Sequence, residues 1–147
     1  MKKIVMILAL LLVFSSFSVL AHEVDTAQVF GVLKSLEGRE IPANFRSAFG
    51  SETVDAQLMH ADGDISYFTI ITKGGKVASV SQETASSPTV KVTVSENVLS
   101  ALEEAGTSEQ QRAIMQEALK NKQITVHGIG WRRSLRFGFY RIVARFL

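Results

Sequence analysis

The alternation of apolar and polar residues along the chain predicts five β-strands. A period of two is typical of strands with one buried face, and the clearest case is Val90-Lys-Val-Thr-Val94. The predicted strands cover residues 54–60, 65–71, 77–81, 90–94 and 124–127. Turn-forming residues separate the first three strands, so these three are expected to form consecutive hairpins.

Two helices are predicted ahead of the first strand. Apolar residues recur at helical spacing after Asp25, which can cap the helix, and Gly38 lies beyond its end. Residues 43–49 form a second, shorter helix, which Gly50 ends. These helices should pack their apolar sides on the sheet that follows.

Two further helices are predicted between the fourth and fifth strands. Ser95 is a good N-cap for the first of them, and Gly106 occupies the position where a left-handed residue commonly ends a helix. Thr107 and Gln110 form a capping-box pair for the second, which Asn121 can close. With a predicted C-terminal helix, this order indicates an α+β domain: a five-stranded, mostly antiparallel sheet with helices packed on one face.

The segment from residue 87 to 128 resembles the second half of the sterol carrier protein 2-like (lipid-transfer) domain. The matching stretches are Ser87-Pro-Thr-Val90, Val92-Thr-Val-Ser95, Val98-Leu-Ser-Ala-Leu102, Ala118-Leu-Lys-Asn-Lys122 and Ile124-Thr-Val-His-Gly128. The family usually has Gly-Lys before the last strand, where this chain has Asn121-Lys122. The resemblance extends over residues 40–147. It implies a sterol-carrier-like fold that encloses an apolar cavity for sterols, fatty acids or acyl chains.

By this resemblance, the cavity would be lined by the sheet, the two late helices and the C-terminal segment. The positions are Phe68, Ile70, Leu99, Leu102, Ile114, Met115, Phe137, Phe139 and Ile142. The implied function is lipid binding and transfer, with an apolar small molecule as partner. The alternative is a non-enzymatic structural or membrane-surface interaction protein with a filled core, because aromatic residues usually belong to the core.

The C-terminal segment from residue 131 is cationic and amphipathic. Its apolar residues share one side of a predicted helix, which favours packing on the domain; a strand around residues 136–140 is the alternative. The other side carries Arg132, Arg133, Arg136, Arg141 and Arg145, and no acidic residue follows position 126. We expect these arginines to contact an anionic membrane surface.

The first 21 residues have the pattern of a signal peptide. Two lysines precede an unbroken apolar run over residues 4–14, and Val19 and Ala21 fit the small-residue positions before a cleavage site. This pattern predicts export to a periplasm, to the medium or to the outer face of the cell membrane, with residues 22–147 as one domain. An uncleaved anchor is the alternative, although the apolar run is barely long enough to span a bilayer. Export also argues against a nucleic-acid partner.

Motifs that carry chemistry are few. The chain has no cysteine and no Gly-x-Ser-x-Gly elbow, and its histidines, His22, His60 and His127, are not at metal-ligand spacing. The sequence therefore predicts a protein that is not an enzyme and needs no cofactor or metal. Copper at an N-terminal His22, joined by His60 or His127, is the alternative, although terminal residues are usually loose. Calcium at Asp62–Asp64 is less favoured than ordinary turn chemistry.

Overall fold

The computed structural model describes residues 24–41 and 43–130. The elements are α1 (Thr26–Lys34), α2 (Ala43–Phe49), β1 (Thr53–Met59), β2 (Ile65–Lys73), β3 (Lys76–Ser81), β4 (Val90–Ser95), α3 (Glu96–Glu104), α4 (Ser108–Lys120) and β5 (Ile124–Gly128). All five predicted strands and the four helices ahead of residue 124 are present. The predicted signal peptide and C-terminal helix lie outside the described residues.

The five strands form one mixed sheet in the order β3-β2-β1-β4-β5. The pair β1 and β4 is parallel, and all other neighbours are antiparallel. The hairpins lay β1, β2 and β3 side by side, and residues 82–89 then carry the chain back across the sheet to β4 on the far side of β1. This confirms the predicted five-stranded, mostly antiparallel α+β architecture.

The register places alternate residues of every strand on one face, termed the inner face. Its members are Val54, Ala56, Leu58, Ser66, Phe68, Ile70, Val80, Val90, Val92, Val94, Ile124 and Val126. Side chains of α1, α3 and α4 join this face in one buried apolar cluster, including Leu33, Leu99 and Met115. The ring of Phe30 in α1 also stacks on Phe68, with ring centroids 6.5 Å apart. The core therefore lies between the inner face and these three helices.

The opposite, outer face is covered in part by the crossover of residues 82–89. The Thr69 hydroxyl donates a 2.8 Å hydrogen bond to the Glu83 carbonyl, and Thr69 and Ala85 are both buried. Asp55 lies beside Thr69 in the register and is 4% exposed. Its Oδ2 accepts a hydrogen bond from the Gln57 amide. The outer face thus buries polar groups beneath a loop, whereas the inner face buries apolar groups beneath helices.

Helix ends follow the sequence except at Gly106 and at Ser95, which occupies the N-cap position of α3 without a side-chain capping hydrogen bond. Asp25 Oδ1 accepts from the Ala27 N–H at 3.0 Å, and Thr107 and Gln110 form the expected capping box. Gly106 was expected to be left-handed, and this expectation is wrong, because its φ is not positive. The extended backbone of Ala105 (φ −70°, ψ 114°) already ends α3. The chain then enters the capping box directly, and the Gly106 N–H donates to the Gln110 side chain.

Glu37 ties α1 to the edge strand β3. Its Oε1 lies 2.7 Å from Lys34 Nζ and accepts a 2.7 Å hydrogen bond from the Val80 N–H. The lysine hydrogen bond and then the backbone donor hold the pKa of Glu37 below its ordinary value of 4.5.

No helix within residues 24–41 or 43–130 is long and apolar enough to cross a membrane.

Candidate functional site: an apolar face with a polar cluster at one end

The middle of the inner face is less buried than its surroundings. The strand pairings place Phe68, Ala56, Val92 and Val126 in one row across four strands. The outer members of this row, Phe68 and Val126, are 2% and 5% exposed. Ala56 and Val92, on the two central strands, are only partly buried, as is Val94 two residues further along β4. Solvent therefore reaches apolar surface at the centre of the sheet.

Two helices contribute further apolar residues that are partly buried. Ile114 and Leu119 of α4, together with Phe30 of α1, pack against the core without being enclosed by it. With Ala56, Val92 and Val94 they make up what we term the half-buried apolar set. A face of this composition can bind an apolar molecule without displacing polar groups.

The structure places the predicted lining residues in two groups. Phe68, Ile70, Leu99, Leu102 and Met115 are each no more than 3% exposed and belong to the core cluster. Ile114 is half-buried and packs against that cluster. The remaining predicted residues, Phe137, Phe139, Ile142, Arg132, Arg133, Arg136, Arg141 and Arg145, lie outside the described residues. Contact of any of these residues with a ligand stays a prediction.

A polar cluster lies at one end of the inner face, and the strand register creates it. Met59, the last residue of β1, pairs with Ile65 of β2 and with Ser95 of β4. The residue after each of these three positions is polar: His60, Ser66 and Glu96. Neighbouring strands are about 4.8 Å apart, so the pairing brings these side chains within hydrogen-bonding distance of one another.

His60 is held between a serine and a glutamate. His60 Nε2 lies 2.7 Å from Ser66 Oγ, and His60 Nδ1 lies 2.9 Å from Glu96 Oε2. Glu96 Oε2 also accepts a 3.2 Å hydrogen bond from the Ala61 N–H. We term Ser66, His60 and Glu96 the Ser–His–Glu cluster. Thr26, the first residue of α1, extends it, with its hydroxyl 2.8 Å from Ser66 Oγ and 3.3 Å from His60 Nε2.

The hydrogen-bond partners favour one arrangement of the protons. An ionised carboxylate only accepts, so Nδ1 of His60 carries a proton that it donates to Glu96. In neutral imidazole, Nε2 is then an acceptor, and it accepts a hydrogen bond from the Ser66 hydroxyl. The Thr26 hydroxyl in turn can donate to the Ser66 oxygen. Glu96 is 8% exposed, whereas His60, Ser66 and Thr26 are partly exposed.

Sequence reasoning considered His60 only as a copper ligand and did not consider Ser66 or Glu96. A hairpin register would have suggested Ser66, because His60 and Ser66 flank one predicted turn. Glu96 is 36 residues from His60, and only the parallel pairing of β1 with β4 brings it close. Among residues 24–41 and 43–130, no group of three or more histidine or carboxylate side chains is arranged to hold a metal ion. His22 lies outside those ranges.

No protein-family model matches the chain, and no curated protein matches it by sequence. Nine chains of solved structures do match it. Sterol carrier protein 2 like 2 from Aedes aegypti is 22% identical, with a TM-score of 0.47; the match covers 69% of this chain and 83% of that one. Sterol carrier protein domain 2 of Helicoverpa armigera is 16% identical, with a TM-score of 0.47, and the shares are 86% and 97%.

A ubiquinone synthesis protein, UbiJ-SCP2, is also similar, at 17% identity and a TM-score of 0.43, over 81% of this chain and 94% of that one. At these identities the likeness concerns the fold alone. These solved structures are sterol carrier protein 2 domains, which is the family that the sequence resembles.

Proposed function

We propose that this protein binds and carries an elongated apolar ligand, such as a lipid acyl chain, between the inner face of its sheet and its helices. The observation that supports this most directly is the partial burial of Ala56, Val92 and Val94 in the middle of an apolar face. In a filled core these residues would be as enclosed as Val90 and Ile124, which are 0% and 2% exposed. Binding and release would need no chemical step.

The physical driving force would be removal of apolar surface from water. Burial contributes about 25 cal/mol per Å², so a chain that buries about 300 Å² would gain on the order of 7 kcal/mol before the entropy cost of binding. The half-buried apolar set offers aliphatic and aromatic surface from both the sheet and the helices. The resemblance seen in the sequence favours sterols, fatty acids or acyl chains as the ligand class.

Displacement of a fluorescent long-chain fatty acid tests this proposal. We expect wild type to bind the probe and Val92→Phe, which fills the middle of the inner face, to bind it at least about tenfold more weakly, a loss of about 1.4 kcal/mol. Ile71→Phe is the matched control, because Ile71 lies on the outer face and is 39% exposed. Equal affinities of the two variants would contradict the proposed location.

Native mass spectrometry provides a test that needs no variant. Protein purified from its own source should carry an added mass that solvent extraction identifies as lipid. A bare polypeptide mass that stays unchanged after incubation with fatty acids, phospholipids and sterols would overturn the carrier proposal. It would favour the alternative, an interaction protein with a filled core, for which the exposed Ile65 and Tyr67 of the outer face would be a candidate surface.

We also propose that the protein is exported and that its arginine-rich C-terminal segment contacts an anionic membrane. The order of basic, apolar and small residues over positions 1–21 supports export. Intact mass of the protein from its source should correspond to residues 22–147. The protein should sediment with anionic vesicles and not with neutral ones. Changing Arg132, Arg133 and Arg136 to glutamine should abolish this sedimentation.

A further inference from the structure

The Ser–His–Glu cluster has the connectivity of a nucleophile, a general base and a group that orients the base. In serine hydrolases, a hydroxyl donates to one imidazole nitrogen while a carboxylate accepts from the other. Ser66 Oγ is 2.7 Å from His60 Nε2, and Glu96 Oε2 is 2.9 Å from His60 Nδ1. Both distances are within the reach that activation of a nucleophile requires. We propose that this cluster is an acyl-transfer site that hydrolyses esters of apolar acyl chains.

The burial of each member suits its role. Glu96 is 8% exposed, so its carboxylate is held against His60 rather than in solvent. The Ala61 N–H fixes the same carboxylate oxygen at 3.2 Å, which limits rotation of the side chain. Ser66 and His60 are partly exposed, so an ester can approach the hydroxyl. Glu96 acts through His60 and is therefore a positioning residue.

The surroundings of Ser66 indicate which ester it would accept. Ser66 belongs to the inner face, two residues from Phe68 on β2, and pairs with Leu58, which in turn pairs with the half-buried Val94. An acyl chain lying along the half-buried apolar set would therefore bring its carbonyl end toward Ser66. This choice of substrate rests on the proposed binding function, whereas the geometry of the cluster does not.

The reaction is hydrolysis in two balanced steps. Ser66 Oγ attacks the ester carbonyl carbon and its proton passes to His60 Nε2; the carbonyl–alkoxy bond then breaks, and the alcohol leaves with that proton. An acyl ester of Ser66 remains. Water then attacks this ester, gives a proton to His60 Nε2, and the carboxylic acid leaves as the proton returns to Ser66. Ester and water are consumed, and acid and alcohol are formed.

The start of α1 adjoins Ser66 Oγ, the oxygen that would attack the ester. Thr26 is the first residue of α1, and its hydroxyl is 2.8 Å from Ser66 Oγ. The first turn of a helix leaves N–H groups without helical partners, and the helix dipole there favours negative charge. The Thr26 hydroxyl therefore lies beside the attacking oxygen, while Asp25 Oδ1 already accepts from the Ala27 N–H of this first turn.

Covalent labelling with a fluorophosphonate and hydrolysis of p-nitrophenyl octanoate test the proposal on the full chain. We expect the label on Ser66 in the peptide map. Ser66→Ala should remove the label and lower the hydrolysis rate about 100-fold or more, and His60→Gln should do the same. Glu96→Gln should lower kcat with KM unchanged, and Glu96→Asp should recover part of the rate.

Matched controls separate this site from background reactivity. His127→Gln removes an exposed histidine of β5 and should leave the rate unchanged, which excludes general imidazole catalysis of an activated ester. Absence of label on Ser66, or a rate that Ser66→Ala does not change, would overturn the proposal and leave the cluster as a structural bridge between α1, β2 and α3.

Failure of this inference can be distinguished from failure of the carrier proposal. Ser66→Ala should bind the fluorescent fatty acid as wild type does, while Val92→Phe should lose binding and also hydrolyse the octanoate ester more slowly. Binding without labelling would reject the acyl-transfer site alone. Labelling of Ser66 without fatty-acid binding would reject the carrier proposal and retain a reactive serine.

Discussion

The two faces of strand β2 lie in different environments, although alternate residues of the same strand form them. Phe68 and Ile70 point to the helices and are each 2% exposed, whereas Tyr67 and Ile71 point the other way and are 36% and 39% exposed. The residue types are alike, since all four are large and favour strands. Within residues 24–41 and 43–130, what differs is the cover: helices pack on the inner face, and the crossover lies over part of the outer face.

The comparison shows that the two faces use different means of burial. Three helices bury aliphatic and aromatic side chains of the inner face by packing. Thr69 and Asp55 are buried on the outer face, and there the Thr69 hydroxyl donates a hydrogen bond to the Glu83 carbonyl of the crossover. Packing energy grows with buried apolar area, while a hydrogen bond contributes a smaller and fixed amount. Substitutions on the two faces should therefore differ in size.

The largest expected effect is on the inner face. Phe68→Ala should lower the free energy of unfolding by about 3–5 kcal/mol, because it removes a fully buried ring and the partner on which Phe30 stacks. Tyr67→Ala, one residue away on the outer face, should cost no more than about 1 kcal/mol. Urea denaturation followed by circular dichroism measures both. Similar costs would mean that the outer face is as closely covered as the inner one.

A smaller effect is expected at the loop that covers the outer face. Thr69→Val removes the hydroxyl that donates to the Glu83 carbonyl, and leaves that carbonyl without this donor, at a cost of about 1 kcal/mol. Thr69→Ser keeps the hydroxyl and should be closer to wild type. Faster amide exchange over residues 82–88 in the valine variant alone would identify the loop as the part released.

A modest gain is expected on the exposed side of α1, opposite its core-facing side. A Cβ on Gly31 meets nothing within 4 Å, so Gly31→Ala should raise stability by about 0.5–1 kcal/mol through helix propensity. Gly50→Ala is the contrasting control, because a Cβ there would lie 2.3 Å from the Arg46 carbonyl oxygen. Thermal denaturation should rank the first variant above wild type and the second below it.

The smallest effect concerns the acid dependence of Glu37, which fastens α1 to β3. A carboxyl whose folded pKa is lowered stabilises the fold above its unfolded pKa, and this contribution is lost as pH falls through the folded pKa. Glu37→Gln should therefore be less stable than wild type at about pH 7, and this difference should be smaller at about pH 3. Urea midpoints at the two values measure this. An undiminished difference at acid pH would show that the charge of the carboxylate is not its cause.

Much of the secondary structure was determined by local sequence. Period-two alternation gave the strands, and Asp25 and the Thr107–Gln110 capping box gave two helix starts, because these signals act within a few residues. The left-handed position after α4 fell on Lys122 (φ 59°) rather than on a glycine. At Gly106 the local rule failed, because the extended Ala105 had already ended α3.

The candidate site, too, could be predicted from the sequence only in part. The apolar residues of the inner face could be assigned from sequence, because alternation alone decides which side chains share a face. Their degree of burial could not be assigned from sequence, because the enclosure of Val92 depends on helices that are distant in sequence. The Ser–His–Glu cluster was not predicted at all, because His60, Ser66 and Glu96 become neighbours only when Met59 pairs with both Ile65 and Ser95.

By itself, then, the sequence determined which segments form strands and helices, which side chains are apolar on each, and which family of folds they resemble. Tertiary structure decided that β4 lies parallel to β1, that the crossover covers part of the outer face, and that a histidine lies between a serine and a buried carboxylate. The physical reason is range: propensity, capping and alternation act over a few residues. Strand order and register are decided by contacts such as that between His60 and Glu96, 36 residues apart.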